Sequence, residues 1–480
     1  MTQPANRRAF LRALTGLAAA PGVLPMQGLA LGTQLAGLTA LSALGAGSSQ
    51  AADLSGQYKA LVCLFLHGGS DMHNWVVPID PDGYNAYSRA RADLAWSLPA
   101  LQPIGNGGQA EGRTFGMPAE LAPLARRFNA GQAAIVANVG PLQRPISRSE
   151  FLAGTALPRK LFSHNDQAST WQSLSPEGAR SGWGGRMGDV LMSANAHPVF
   201  TAVSATGNAV FLAGQTVTQF QVGAEGPTPI NGLVASSIFG STRAPAALAR
   251  SLNPTTTDPL LAEYARVLQR GVGANSLLQS AATGAAVPAI PATTVPSGGS
   301  LTSLSATPLA RQLRTVLQLV AAQQALGMRR QVFMVSMGGF DSHANQLRDQ
   351  PGHMAQVAGA IDYFMDSLQG MGMLNNVTLF TASEFGRTLV SNGDGSDHGW
   401  GSHHFLVGGA VRGGRFHGQL PAVSVNGPDD VGQGRLLPTT AVDQLAATLA
   451  RWMGVSQTDL PLVAPNIGHY SVQDLGLLNT

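Results

Sequence analysis

Short apolar runs alternate along this chain with segments whose apolar residues recur at helical spacing. The runs "ALVCLFLHGGSD", "AAIVANVG", "VFTAVSATG", "QVFMVSMGGFDSH", "NVTLFTASEFG" and "HHFLVGG" are rich in β-branched residues and end in Gly, Ser or Asp. None alternates cleanly between apolar and polar, which is the pattern of strands buried on both faces of a parallel sheet. Between them, "PAELAPLARRFNAG" has Pro118 at a first turn and Gly131 as a stop, and Met354, Val357, Ile361, Phe364 and Leu368 line one helical face. In "TTAVDQLAATLARWMGV", Thr440 stands three residues before Asp443 like a cap, and Val442, Leu445, Leu449 and Trp452 share a face. The alternation predicts an α/β fold, a three-layer α/β/α sandwich on a mainly parallel sheet.

The N-terminus reads differently. Arg7-Arg8 and Phe10-Leu11 precede a stretch from Ala13 to Ala52 without a charged side chain, the layout of a twin-arginine export signal. Gly and Pro dilute the stretch below a good transmembrane helix, and "SSQAADL" offers cleavage after Ala51. The expectation is a signal at 1–51, a single domain over 52–480, and a periplasmic or secreted product with no stable membrane insertion after cleavage. The twin-arginine machinery would then be a partner during export. Residues 271–310 carry no charge and are dominated by Ala, Thr, Ser, Pro and Gly, which predicts a flexible insertion.

Removing the signal takes three arginines and no acid, which leaves a neutral chain with only Lys59 and Lys160 as lysines. Such a surface lacks the basic stripe of a nucleic-acid binder. The single cysteine, Cys63, lies in an apolar run and reads as a core residue.

Polar residues concentrate at the ends of the predicted strands, where ligands sit in open α/β sheets. His67, Asp71 and His73 follow the first strand; Ser163, His164 and Asp166 open a helix; Asp341 and His343 end "GGFDSH"; Glu384, Arg387, Asp397, His398, His403 and His404 fall in "SEFGRTLVSNGDGSDHGWGSHHF". Seven of the eleven histidines thus stand near carboxylates. Mixed nitrogen and carboxylate donors suit Zn²⁺ or Mn²⁺, and oxygen-rich ones suit Mg²⁺ or Ca²⁺. A metal-free polar pocket for an anion or sugar, with Arg387 as the anion fork, is the other reading of the same residues.

The motifs "HGGSD", "GGFDSH", "SEFGRT" and "DHGWGSHHFLVGG", in this order behind an export signal, resemble the bacterial family called domain of unknown function 1501. That family is grouped with the alkaline phosphatase and sulfatase superfamily. The resemblance implies an alkaline phosphatase-like sandwich and metal-dependent hydrolysis of phosphate or sulfate esters, on a small anionic ester or a decorated polysaccharide. By resemblance, Asp71, Asp341, His343, Asp397, His398 and His404 match metal ligands, with Zn, Mn, Ca or Mg as the ion. Ser163 matches the nucleophile; Arg387 would clamp a non-bridging oxygen and Glu384 would orient it or act as base. The chain departs from the superfamily pattern in its Asp-x-His spacing at 341–343, in Phe385 where a ligand is usual, and in lacking a Cys-x-Pro-Ser-Arg element. A catalytically inactive binding or scaffold protein of the same fold is the alternative.

Overall fold

The computed structural model describes residues 56–175, 178–228, 230–297 and 299–479; the export signal expected at 1–51 lies outside them. The central sheet contains β1 (Lys59–Leu66), β2 (Ala133–Gly140), β3 (Ala202–Ser204), β4 (Phe220–Gln221), β5 (Arg330–Met337), β6 (Val377–Ala382), β7 (Ser402–Val407), β8 (Phe416–His417) and β9 (Thr440–Ala441). Their order is β8-β2-β7-β6-β1-β5-β3-β4, with β9 also paired to β2. β1 runs parallel to β5 and β6, and β5 parallel to β3. Only β7 runs against the rest, antiparallel to both β6 and β2.

The helices that matter are α1 (Pro81–Arg91), α2 (Ala122–Asn129), α3 (His164–Ser173), α4 (Trp183–Leu191), α5 (Pro259–Thr283), α6 (Pro308–Ala321), α7 (Gln346–Gly370) and α8 (Val442–Met453). Successive side chains of a strand point to opposite faces, and β1 shows the consequence. Ala60, Val62, Leu64 and Leu66 join a core with Leu124 and Phe128 of α2, Leu313 and Leu317 of α6, and Val357, Ile361 and Phe364 of α7. Leu61, Cys63 and Phe65 join a second core with Trp171 of α3, Trp183 and Met187 of α4, and Leu445 and Leu449 of α8. The three-layer sandwich follows from one strand that is apolar at every position from Ala60 to Leu66. Each such Val, Leu or Phe contributes roughly 1.5–3 kcal/mol by leaving water.

Several local expectations shift. The helix expected from Met354 starts at Gln346 and carries Pro351 inside it, at the sixth position, where the ring removes one i→i−4 hydrogen bond. Thr440 lies in β9 rather than capping α8; the Ala441 N–H is met instead by the Gln444 carboxamide at 2.9 Å. The 271–310 stretch differs from a structureless insertion. Its first part continues α5, with Ala274 and Leu278 buried one turn apart, and Thr294–Ser297 pairs with Ser300–Ser303 in a hairpin whose Val295 is buried. Its Ala and Leu content favours helix, which absence of charge does not prevent. No described helix is long and apolar enough to cross a membrane.

Asp443, in the first turn of α8, is 2% exposed and accepts from the Asn466 N–H at 2.9 Å. Burial pushes its carboxyl up to about 6. The folded state therefore holds this proton more tightly than the unfolded chain, whose carboxyl titrates near 3.9, and stability falls as pH rises through that window. Asp443→Asn is expected to gain up to about 3 kcal/mol over the parent at pH 7.5 and nothing at pH 4. Urea denaturation at the two pH values measures both, and equal stability at pH 7.5 rejects the expectation.

Candidate metal centre

The carboxyl ends of β1, β5 and β6 open into three turns that touch one another. Gly68 and Gly69 follow β1 with φ of +122° and +83°. A Cβ at Gly68 would stand 2.2 Å from the Asp341 nitrogen, and one at Gly69 would stand 2.3 Å from the Phe385 ring. Only glycine lets the turn after β1 lie this close to the turns after β5 and β6. The Gly68 N–H donates to Glu384 Oε1 at 2.8 Å, and the Gly68 carbonyl accepts from Arg387 Nη1 at 3.1 Å. Arg387 begins a hairpin, Arg387–Ser391 with Ser396–His398, that folds over the site.

Three imidazoles and one carboxylate converge here. His343 Nε2 lies 3.2 Å from Asp341 Oδ1, His398 Nε2 lies 3.6 Å from the same oxygen, and His164 Nε2 lies 3.4 Å from Asp341 Oδ2. His343 Nε2 and His398 Nε2 are 2.8 Å apart. Of these, His164, Asp341 and His398 form a set whose ligand atoms all lie within 4.8 Å of one another.

The opposite ring nitrogens decide what the Nε2 atoms carry. His164 Nδ1 faces Glu384 Oε1 at 3.1 Å, His343 Nδ1 faces Asp397 Oδ1 at 3.0 Å, and His398 Nδ1 faces the Phe162 carbonyl at 2.7 Å. A carbonyl or carboxylate oxygen only accepts, so each Nδ1 holds the proton and each neutral ring turns an Nε2 lone pair toward Asp341. Two such lone pairs at 2.8 Å repel unless a proton or a cation lies between them. An outer acceptor on the far nitrogen is how metal-binding histidines are oriented. The contacts of His164 and His398 with Asp341, 3.4 and 3.6 Å, are close to the edge of a tetrahedron with bonds of about 2.0–2.1 Å, which is about 3.3 Å. His164, Asp341 and His398 therefore fit a small divalent cation, with His343 beside them and outside that set.

Burial would raise the Asp341 carboxyl, but the Arg387 hydrogen bond and charge, with His343 and His164, hold it below the usual range. Burial lowers His398, the Phe162 hydrogen bond opposes this, and Arg387 adds to the lowering. Both shifts keep the donors in their ligating form at neutral pH. Phe385, 1% exposed, lies against both rings, with centroids 4.9 Å from His164 and 4.6 Å from His398. The residue that interrupts the superfamily pattern thus sets the planes of two imidazoles.

The other expected site residues fall elsewhere. Asp71 is buried, its Oδ2 taken by Arg91 Nη2 and Gln346 Nε2, its Oδ1 without a partner among the described residues, and it shares a cavity with Asp341. It stands outside the set of mutually close ligand atoms. His404 lies inside the sheet against Trp171, its Nδ1 3.3 Å from Thr381 Oγ1, and burial lowers it to about 3. Asp397 reaches the cluster only through His343 Nδ1. Arg387 is fully buried with donors on Asp341, Gly68 and Ser396, so it holds Asp341 and has no exposed face to clamp an oxyanion. Glu384 is 3% exposed and orients His164. Ser163 stands at the N-cap of α3 with Oγ donating to Asp166 Oδ2 at 2.7 Å. His164, next to the expected nucleophile Ser163, is the residue that faces Asp341 and joins the candidate set; the Ser-His pair at a helix start was the signal.

No curated protein matches the sequence. Among solved structures, the PsFucS1 sulfatase from Pseudoalteromonas sp. is similar at 10% identity, over 94% of this chain and 78% of that one, with a TM-score of 0.34. A Bacteroides thetaiotaomicron protein described with the metabolism of multiple glycosaminoglycans is similar at 10% identity, over 84% and 74%, with a TM-score of 0.35. BT1596, a 2-O GAG sulfatase, is similar at 12% identity, over 84% and 71%, with a TM-score of 0.27. Superpositions this loose say nothing about chemistry. The family profile described as protein of unknown function (DUF1501) matches residues 58–463, and the chain belongs to that family.

Proposed function

We propose that this chain is an exported hydrolase of phosphate or sulfate esters, working with one divalent cation held by His164, His398 and Asp341, with His343 beside them. The observation that carries the proposal is the convergence of three Nε2 lone pairs on one carboxylate, each imidazole fixed from behind by its own acceptor. Two nitrogens and one carboxylate favour Zn²⁺ or Mn²⁺ over Mg²⁺ or Ca²⁺. When bound, such a cation supplies Lewis-acid stabilisation to the oxygens of an anionic ester. The side chains of Asp341 and His343 are 48% and 44% exposed, which leaves the cluster open to a substrate from solvent.

The chain's own residues do the rest. Ser163 lies between Phe162, whose carbonyl holds His398, and the ligand His164, and its hydroxyl already donates to a carboxylate. That pairing suits a nucleophile whose proton passes to Asp166 Oδ2 as the ester is attacked. Glu384 and Asp397 keep His164 and His343 in the Nδ1–H tautomer. The N-terminal twin-arginine pattern supports export, with the mature chain starting near Ala52.

Elemental analysis of protein purified without chelators or a metal-binding tag is expected to find about one equivalent of Zn or Mn. His164→Ala and Asp341→Asn should each lose it and lose ester cleavage, and a folded parent without metal would replace this reading by a scaffold of the same fold. Asp71→Asn should keep the metal but unfold more easily by about 3–5 kcal/mol, because Arg91 is left buried without its partner. Metal loss on Asp71→Asn, with stability unchanged, would return Asp71 to the ligand set.

Protons compete with the cation for imidazole nitrogen, so the metal should be released in acid, and burial of His398 moves that release below the range of a free imidazole. Dialysis at stepwise lower pH followed by metal assay reads the release; retention in acid strong enough to protonate any histidine would argue against histidine ligation.

A further inference from the structure

Beside the cation cluster lies a second cavity of about 300 Å³ that takes no part in the chemistry described above. It opens where β1, β5 and β3 end, and His67, Ser169, Gln172, Thr206, Asn208 and Ser336 line it, with Met334 and Ala209 as apolar wall. No carboxylate, lysine or arginine lines it, in contrast to the cluster next door.

Four of its polar side chains hold unused hydrogen-bonding capacity. Gln172 is 92% buried, since 8% of it is exposed, and its Oε1 accepts from the Phe211 N–H at 3.1 Å. Its Nε2 donates to no described residue. Asn208 Oδ1 accepts from Gln219 Nε2 at 2.9 Å and from Gln221 Nε2, while its own Nδ2 is unengaged. The Ser169 hydroxyl and both His67 ring nitrogens likewise make no hydrogen bond within the described structure. Gln172 Nε2 is not among the buried unpartnered atoms, so this mostly buried side chain turns its donor to the solvent of the cavity, where a ligand could supply the acceptor.

The cavity adjoins the cluster through shared elements. Glu384 Oε1 accepts from the Gly68 N–H, next to His67, and faces His164 Nδ1. Ser169 follows His164 by five residues, about 140° around the helix, so the link between cavity and cluster runs through His67 and Gly68 rather than along one helix face.

We propose that this cavity is a glycosyl subsite, which takes the uncharged, hydroxyl-bearing sugar ring of an ester whose anionic group sits at the cation cluster. Neutral donors and acceptors with a partly apolar wall match the alternating hydroxyls and C–H faces of such a ring. About 300 Å³ lies at the small end of ligand cavities and suits one ring rather than a chain. The position of the ester rests on the hydrolase reading above; the binding of the ring does not.

The test is ligand-observed saturation-transfer NMR on the full mature protein, with and without EDTA. The probes are methyl glucopyranoside, methyl galactopyranoside and N-acetylglucosamine. At least one is expected to bind whether or not EDTA is present. Ser169→Ala and Gln172→Glu, the second of which keeps the acceptor for Phe211, should weaken it tenfold or more with unchanged melting temperatures. No binding by any probe overturns the subsite, as does binding that neither variant alters. Glycoside binding lost in both variants of a protein that carries no metal would sustain the subsite while the hydrolase reading falls. Ester cleavage without glycoside binding would do the reverse.

Discussion

The buried guanidinium of Arg387 ties together the three turns on which the site is built. One Nη1 reaches the Gly68 carbonyl after β1 and Asp341 Oδ1 after β5, and Nη2 reaches the Ser396 carbonyl in the hairpin that carries Asp397 and His398. A cation with no exposed surface is tolerated only when its hydrogen bonds are met and a counter-charge is near. Here the counter-charge is Asp341, which is itself half-exposed. Arg387 therefore fixes where the carboxylate stands and leaves its outer side to the three imidazoles. The glycines at 68 and 69 serve the same arrangement, because any Cβ there would push the β1 turn off the Asp341 backbone and the Phe385 ring.

Arg91 and Asp71 form a second buried pair at the same end of the sheet, with a different outcome. Gln346 also donates to Asp71, the Gln350 carboxamide donates to the Asp71 carbonyl at 3.2 Å, and both members of the pair are almost fully buried. That network joins α1, α7 and the turn after β1, and it leaves Asp71 Oδ1 without a partner among the described residues. Nearby, His73 has neither ring nitrogen partnered, and burial, with Arg91 adding to it, lowers it to about 3. Histidines here are uncharged packing residues, unlike those of the cluster, whose Nε2 atoms reach solvent-facing space.

The layers of the fold were legible because the strands declare themselves. "AAIVANVG" coincides with β2, and "ALVCLFL" falls within β1, since a run apolar at every position must be covered on both faces. The reversed direction of β7 was not legible, and it explains the misplacement of His404. An antiparallel strand enters the sheet at the site end, so a residue two positions past Ser402 lies about 6.6 Å inside it. Asp341 and His343 stand out in the sequence because they sit in the polar turn after β5, and His398 because it falls in the glycine-rich hairpin after β6. His164 could not be separated from Ser163, because the phase of a helix start decides which neighbour faces inward. Asp71 misled for another reason: its partner Arg91 lies twenty positions away on α1, and nothing in "HGGSD" announces it.

Charge balance argues for one cation rather than two. Around the cluster, Asp341, Glu384 and Asp397 contribute three negative charges and Arg387 one positive. With neutral imidazoles, the surplus of two is what a single divalent ion cancels. Asp71 and Arg91 cancel each other and add nothing to that count. A second divalent ion at Asp71 would stand beside the buried Arg91 guanidinium and meet its charge, although Asp71 Oδ1 has no partner among the described residues. On the proposed hydrolase reading, the open cluster then holds one ion with an anionic substrate beside it.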